Sequence, residues 1–233
     1  MQVSDAIVDL IVERPHNFKL GERSFSIKPL TLGKMLILSK YNTLLLSSLR
    51  GRQRKQPQEV LLDLCKTQPK IVSHIIAIYI TADGERLLDD DYVAELDAFI
   101  CKEMDDVQKA TFLQLYYEEK TAAYFMDELR IAEEKEKQRL AMRAKDKSSS
   151  LSVGGVSIFG NLIDFACEKF GWTYQYVLWG VSYNVLQLMI ADMPQSIYLT
   201  EKERARAHIN DDGRILRGES QADVDYFKSL CDG

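Results

Sequence analysis

The chain has 233 residues, with 30 Lys and Arg against 35 Asp and Glu, a formal net charge of −5 and 46% hydrophobic residues. This apolar fraction is typical of a globular protein and argues against wholesale disorder, and the length allows one large domain or two small ones. The mild acidity argues against a dedicated nucleic-acid binder, whose surface normally carries a basic surplus.

The N-terminal part, 1–120, predicts a hairpin followed by a helical domain. Residues 4–12 fit either a short helix capped by Ser4 or a strand, because so short an apolar run has no decisive periodicity. Alternating apolar and polar residues around 21–23 predict a β-hairpin that Pro29 closes. Apolar spacing and capping residues then predict helices over about 31–49, 57–66, 69–82, 89–102 and 104–117.

The next segment, 121–147, predicts one long charged helix. Between Asp127 and Lys147 seven basic and six acidic residues stand among 21 positions, and Glu133 and Glu136 fall in the seam that a coiled coil would need. A freestanding helix is therefore expected rather than a dimerising coil. The Ser- and Gly-rich run 148–156 predicts a flexible linker, where we place the main domain boundary.

The C-terminal part predicts a helical subdomain over 157–199 and a polar helix with a tail over 200–233. One helix is expected over 158–170, ended by Gly171, and a second over about 172–191. Two apolar stripes on the second helix are typical of the central helix of a small bundle. The predicted fold class is therefore mainly α: a helical bundle with a small N-terminal β-hairpin, a long charged helix and a C-terminal helical subdomain.

No motif for catalysis, cofactor binding or metal binding is found, so we expect a protein that is not an enzyme. The four cysteines are widely spaced, which favours buried free thiols. His16, His74 and His208 lie far apart and fit no metal-binding pattern, and His74 is expected as a partly buried helix residue. The run 89–91, all aspartate, is expected to cap a helix rather than to bind a metal.

A short basic segment is the main feature that could contact phosphates. Its four charges are Arg50, Arg52, Arg54 and Lys55, and the run is most simply a solvated loop between helices. Without interleaved aromatic residues, nucleic-acid binding through it stays the weaker alternative. The first ten residues lack a secretory signal and no stretch approaches a membrane span, so we expect a cytoplasmic protein without a membrane partner.

Five large aromatic residues fall within twelve positions of the second C-terminal helix, although the whole chain has only two tryptophans. Core packing accounts for most of them, yet Tyr and Trp also anchor helix-in-groove recognition, and a small bundle cannot bury five such rings completely. Four of them follow one helical spacing and are our candidate partner-binding residues: Trp172, Tyr176, Trp179 and Tyr183.

Two stretches resemble one known family. Residues 25–35, FSIKPLTLGKM, resemble the hairpin-to-helix segment of phage tail assembly chaperones, and residues 170–182, FGWTYQYVLWGVS, are similar to their C-terminal helical segment. The resemblance implies a non-enzymatic protein that binds the long, apolar-rich helical tape measure protein, keeps it soluble and helps tail tube subunits assemble around it. The alternatives are a structural tail or connector component that stays in the virion and a small nucleic-acid-associated protein.

Overall fold

A computed structural model describes residues 5–47, 56–145, 157–210 and 215. As predicted, the fold is mainly helical with a small N-terminal hairpin of strands β1 (His16–Leu20) and β2 (Arg23–Ile27). A 3₁₀ helix covers Gly84–Leu88, and a π-helical turn covers Tyr176–Gly180. The α-helices are α1 (Asp5–Ile11), α2 (Leu32–Ser47), α3 (Pro57–Thr67), α4 (Pro69–Ile80), α5 (Asp90–Glu103), α6 (Asp106–Glu118), α7 (Ala122–Glu128), α8 (Ile131–Ala144), α9 (Ile158–Phe170), α10 (Tyr183–Ala191) and α11 (Glu201–Ala207).

The described residues fall into two compact units. The first unit contains residues 5–122 and 157–188, and the second contains residues 123–145, 189–210 and 215. The segment 157–199, expected as one subdomain, is therefore divided between the two units after residue 188. The predicted linker, 148–156, lies outside the described residues.

The hairpin of the first unit forms where the alternating pattern predicts it. Gly21 has φ +55°, which suits the first position of the two-residue turn and is strained for other residues. The rings of Phe18 and Phe25 face each other across the pair with centroids 5.4 Å apart. They also contact Phe112 of α6 and Phe99 of α5, at 5.1 and 6.0 Å. The apolar face of the hairpin therefore closes one side of the helical core.

Helix α4 is the centre of that core. Its sequence is apolar at almost every position, and contacts with α2, α3, α5, α6 and β2 surround it. Pro69 begins the helix at a position where its missing amide costs nothing. Its most deeply buried apolar residues are Val72, Ile75, Ile76, Ala77, Ile78 and Ile80.

The neighbouring helices α5 and α6 both begin at a carboxylate cap. The Asp89 side chain accepts hydrogen bonds from the amides of Asp91 and Tyr92, both at 3.1 Å, and so caps α5. Asp105 and Gln108 form a reciprocal capping box at the start of α6. The run 89–91 thus has the capping role that we expected.

The charged segment is not one freestanding helix. Arg130 adopts the left-handed conformation with φ 60° and separates α7 from α8, and the Arg130 amide donates to the Asp127 carbonyl at 3.1 Å. Helix α8 packs against α11 within the second unit and buries Ile131, Ala141 and Ala144. The expectation of a freestanding helix was therefore wrong. Charged residues dominate the composition of the segment, but a few small and apolar residues give α8 a face that packs against α11.

The segment 172–191 is also not one helix. Val181 is extended at φ −113° and ψ 143°, and its amide closes the π-helical turn on the Tyr176 carbonyl at 3.2 Å. Ser182 then forms a β-bridge with Thr31, so the chain pairs like a strand before α10 begins. The two continuous stripes that the spacing predicted are therefore interrupted at 181–182.

Two further expectations concern the cysteines and the membrane. Cys65, Cys101 and Cys167 are free thiols, but only Cys65 is buried, and Cys231 lies outside the described residues. Within the described ranges, no helix combines the length and the apolar character that crossing a bilayer requires.

Candidate partner-binding surface

Helix α9 and the glycine that ends it bring aromatic residues together. The Ser157 hydroxyl caps α9 by accepting the Gly160 amide at 3.1 Å. Gly171 ends the helix at φ +66°, the left-handed conformation that glycine adopts without strain. The chain turns there, and the Trp172 ring comes within 4.9 Å of the Phe170 ring, measured between centroids.

Four rings form a group that we call the aromatic cluster: Phe165, Phe170, Trp172 and Tyr176. The centroid of Phe165 lies 6.2 Å from that of Phe170, and the centroid of Trp172 lies 5.1 Å from that of Tyr176, both in edge-to-face geometry. Tyr176 is 46% exposed and the adjacent Tyr174 is 55% exposed. The cluster therefore presents a ring to solvent instead of hiding it in the core.

The first turn of α9 adds apolar side chains to the exposed surface of the same segment. Ile158 is 76% exposed and Phe159 is 44% exposed. Large apolar groups left in water at this density along one short segment are characteristic of surfaces that bind a partner. The aromatic cluster at the end of α9 and the exposed residues at its start are the best candidates for such a surface among the described residues.

Of the four predicted residues, Trp179 has a different environment. A β-carbon built on Gly33 would lie 2.3 Å from Cζ3 of the indole, and one built on Gly84 would lie 2.5 Å from Cε3. The half-buried Trp179 ring thus fits against the start of α2 and the start of the 3₁₀ helix, where only glycine leaves room. Trp179 therefore has the core-packing role that the sequence left open as the alternative to partner binding.

Tyr183 also lies away from the aromatic cluster. It is the first residue of α10, and its amide donates to the Leu30 carbonyl at 2.7 Å, next to the bridge between Thr31 and Ser182. Its side chain is half-buried. The structure therefore brings Trp172 and Tyr176 into contact, and it places the Trp179 ring and the Tyr183 amide against the segment that joins the hairpin to α2.

Phe165 and Phe170 are not among the residues that the sequence predicted for partner binding. The sequence feature that indicates the contact between Phe170 and Trp172 is Gly171. It ends α9 with a turn, so that the aromatic residues before and after it become neighbours in space. Gly180 contributes by leaving space for a ring, because a β-carbon at this position would lie 2.2 Å from Cδ2 of Tyr176. The Tyr176 ring thus lies directly over the backbone at 180.

Lys34, Glu119 and Tyr79 form a largely buried group of polar side chains elsewhere in the first unit. Their pKa values are shifted strongly. Lys34 on α2 is 1% exposed, and its Nζ makes no hydrogen bond to any described residue. Burial lowers the pKa of Lys34 to about 8, while the nearby Glu119 carboxylate acts in the opposite direction. Burial in turn raises the pKa of Glu119, opposed by Lys34 and by hydrogen bonds from the Leu30 amide and the Tyr79 hydroxyl.

This arrangement is better suited to holding elements together than to chemistry. The group joins α2, α4 and the end of α6, and Tyr79 is itself buried, with its pKa raised by that burial and by Glu119. Reactive lysines also have lowered pKa values, but they must reach a substrate. With 1% exposure, the Lys34 side chain has no such access in this structure.

The remaining chemical candidates behave as ordinary structural groups. His74 is a partly buried helix residue, as expected, with its Nδ1 2.7 Å from an oxygen of Asp97 and its ring 4.1 Å from that of Tyr41. Within the described residues, no group of three or more His, Cys, Asp or Glu side chains could hold a metal ion. The basic segment with Arg50, Arg52, Arg54 and Lys55 lies outside those residues.

Comparisons of the chain with protein-family models, with curated proteins and with solved structures found no match.

Proposed function

We propose that the chain is a non-enzymatic phage tail assembly chaperone that binds the helical tape measure protein and assists assembly of the tail tube around it. The observation that carries the proposal is a contact between the two stretches that resemble this family. Trp179 of the second stretch fits against Gly33 of the first, and Ser182 pairs with Thr31. Two segments far apart in the chain that resemble one family therefore belong to one packed module.

The client-binding surface in this proposal is the aromatic cluster with the exposed start of α9. Tyr176 offers a large, stiff ring with a polar tip, a side-chain type that is enriched at binding hot spots. Ile158 and Phe159 supply aliphatic and aromatic area at the other end of α9. An amphipathic helix that covers such a surface gains about 25 cal/mol for each Å² of apolar area removed from water.

A tape measure protein offers long helices with apolar faces, which is the type of client that this surface suits. Recognition by apolar area tolerates sequence variation along the client, because the hydrophobic effect is not directional. The same surface could therefore engage successive helical segments of one long client and keep their apolar faces out of water. Tail tube subunits would replace the chaperone as they enclose the client.

Co-expression with a candidate tape measure protein tests the proposal. The wild-type chain is expected to co-purify with the client and to raise its soluble fraction. The double variant Trp172→Ala/Tyr176→Ala is expected to lose both effects. The matched control is Tyr198→Ala, which removes an aromatic ring that is 85% exposed outside the proposed surface and should leave the complex intact.

Three results would contradict the proposal. One is the absence of any complex with the wild-type chain. Another is stoichiometric retention of the protein in purified particles, which favours a structural tail or connector role. The third is salt-sensitive DNA retention that is lost when Arg52, Arg54 and Lys55 are neutralised, which favours the nucleic-acid alternative.

A further inference from the structure

Strand β2 has an open edge. The hairpin turn has two residues, so the register pairs Leu20 with Arg23 next to it and Lys19 with Ser24 beyond it. In antiparallel pairs hydrogen-bonded and non-hydrogen-bonded positions alternate, and the pair that flanks a two-residue turn is hydrogen-bonded. Ser24 and Ser26 therefore direct their amide and carbonyl groups away from β1. Neither amide donates to a backbone group outside the hairpin in the described part of the chain.

A groove runs along this edge within the first unit. Its volume is about 570 Å³, and residues 23–26 of β2 form one wall. The opposite wall comes from residues 80–83 and 86, together with Tyr92, Glu95 and Leu96 of α5. The backbone groups that β1 leaves unpaired thus face a space of the size that ligand sites have, roughly 300–1,000 Å³.

Two positive and two negative side chains line the groove, and the group left open to an acidic side chain is the Arg86 guanidinium. Arg23 is already paired with Glu95 at 2.7 Å, and Asp83 accepts the Glu85 amide at 3.1 Å. Arg86 is exposed, and its guanidinium lies 3.8 Å from the centroid of the Tyr92 ring. The Arg86 backbone bonds to Asp83 and Asp89, but its guanidinium makes no ion pair or hydrogen bond to a described residue. The Tyr92 ring therefore holds the Arg86 guanidinium in place, and the N–H groups of the guanidinium are available to a carboxylate.

We propose that this groove binds an extended segment of a partner polypeptide that carries an acidic side chain, added to β2 as a third strand. The backbone of the segment would pair with Ser24 and Ser26, and its carboxylate would pair with Arg86. The occupant that we assign is a single strand, because α5 and residues 80–86 bound the space beside β2, where an added strand would lie about 4.8 Å from it. The proposal is independent of the aromatic cluster and of its client.

An NMR titration with a defined peptide tests the proposal. The probe is an acetylated and amidated hexapeptide of alternating Thr and Val with one central Asp. At saturation, hydrogen exchange of the Ser24 and Ser26 amides is expected to slow at least tenfold, while exchange at Asn17 and Lys19, on the outer edge of β1, stays unchanged. Unchanged exchange at Ser24 and Ser26 in the wild-type chain at millimolar peptide would overturn the proposal without any substitution.

Matched variants separate the backbone and charge contributions. Ser24→Pro removes an outward-facing amide and is expected to weaken peptide binding at least tenfold. Its control, Lys19→Pro, removes the amide directly opposite on the other edge and should leave binding unchanged. Replacing the peptide Asp by Lys should weaken binding to the wild type, and Arg86→Gln should abolish this preference. Equal binding of the two peptides to the wild type would contradict the pairing with Arg86, and equal effects of the two proline variants would contradict strand addition at β2.

Discussion

The indole ring of Trp179 lies against the α-carbon of Gly33, so closely that a β-carbon at position 33 would sit 2.3 Å from Cζ3 of the ring. No real side chain tolerates such a contact. The start of α2 can therefore carry only glycine at this position unless the ring moves. This contact, with the bridge between Thr31 and Ser182, attaches the C-terminal aromatic segment to the junction of hairpin and helix.

The first prediction concerns this contact. Gly33→Ala is expected to lower the free energy of unfolding by about 1–3 kcal/mol, because the added methyl group overpacks the site. Chemical denaturation monitored by tryptophan fluorescence or circular dichroism measures the change. The effect should not come from helix propensity, since alanine is favoured over glycine inside a helix.

A double-mutant cycle provides the control. Trp179→Leu removes the ring that the new methyl group meets, so Gly33→Ala should cost much less in that background than in the wild type. An equal cost in both backgrounds would show that the indole does not restrict position 33.

The second prediction concerns the pH dependence of stability. The pKa of Lys34 is lowered to about 8 in the folded chain, from 10.5. Between these values the unfolded state binds more protons, so the contribution of Lys34 to stability rises with pH, by up to about 1.4 kcal/mol per unit. In Lys34→Met this contribution is absent, and the difference in unfolding free energy between wild type and variant should change across pH 8–9.5.

Titratable groups that do not interact with Lys34 affect both proteins equally in this range. Burial raises the pKa of Cys65 to about 11, so Cys65 stabilises the folded chain at low pH and this stabilisation is lost as pH rises from about 9. Subtracting the two curves removes that effect. Parallel stability curves for wild type and Lys34→Met would contradict the lowered pKa of Lys34.

The third prediction distinguishes neighbouring carboxylates. Asp89→Ala is expected to lower the free energy of unfolding by about 1 kcal/mol, because Asp89 caps two amides at the start of α5. Asp90→Ala should cost less, since Asp90 lies within the first turn and acts through the helix dipole alone. Urea denaturation of both variants measures the two costs, and a larger effect for Asp90 would contradict this assignment.

Local features of the sequence were sufficient for most of the elements. The turn residues at 21–23 and the alternation around them predicted the hairpin, and apolar periodicity with capping residues predicted helices α2 to α6 close to their observed bounds. These signals act within a few residues, because turns, caps and helical hydrogen bonds are local interactions. The same holds for α9 and its end at Gly171.

Non-local contacts explain what the sequence did not predict. The spacing of aromatic residues from 172 to 183 suggested one helical stripe, but the Tyr183 amide bonds to the Leu30 carbonyl and Trp179 fits against Gly33 and Gly84. Both partners are far away in the chain, so periodicity within the segment carries no information about them. Of the four candidate residues, Trp172 and Tyr176 contact each other in the aromatic cluster, which also contains Phe165 and Phe170.

The most direct test of the account is the affinity of the aromatic cluster for the proposed client. Isothermal titration of a purified helical fragment of a tape measure protein should show binding to the wild-type chain. Trp172→Ala/Tyr176→Ala should weaken that binding at least tenfold, with Tyr198→Ala equal to the wild type and all three proteins equally folded by circular dichroism. Undiminished binding by the folded double variant, or no binding by the wild-type chain, would contradict the role of the cluster as the client site of a chaperone.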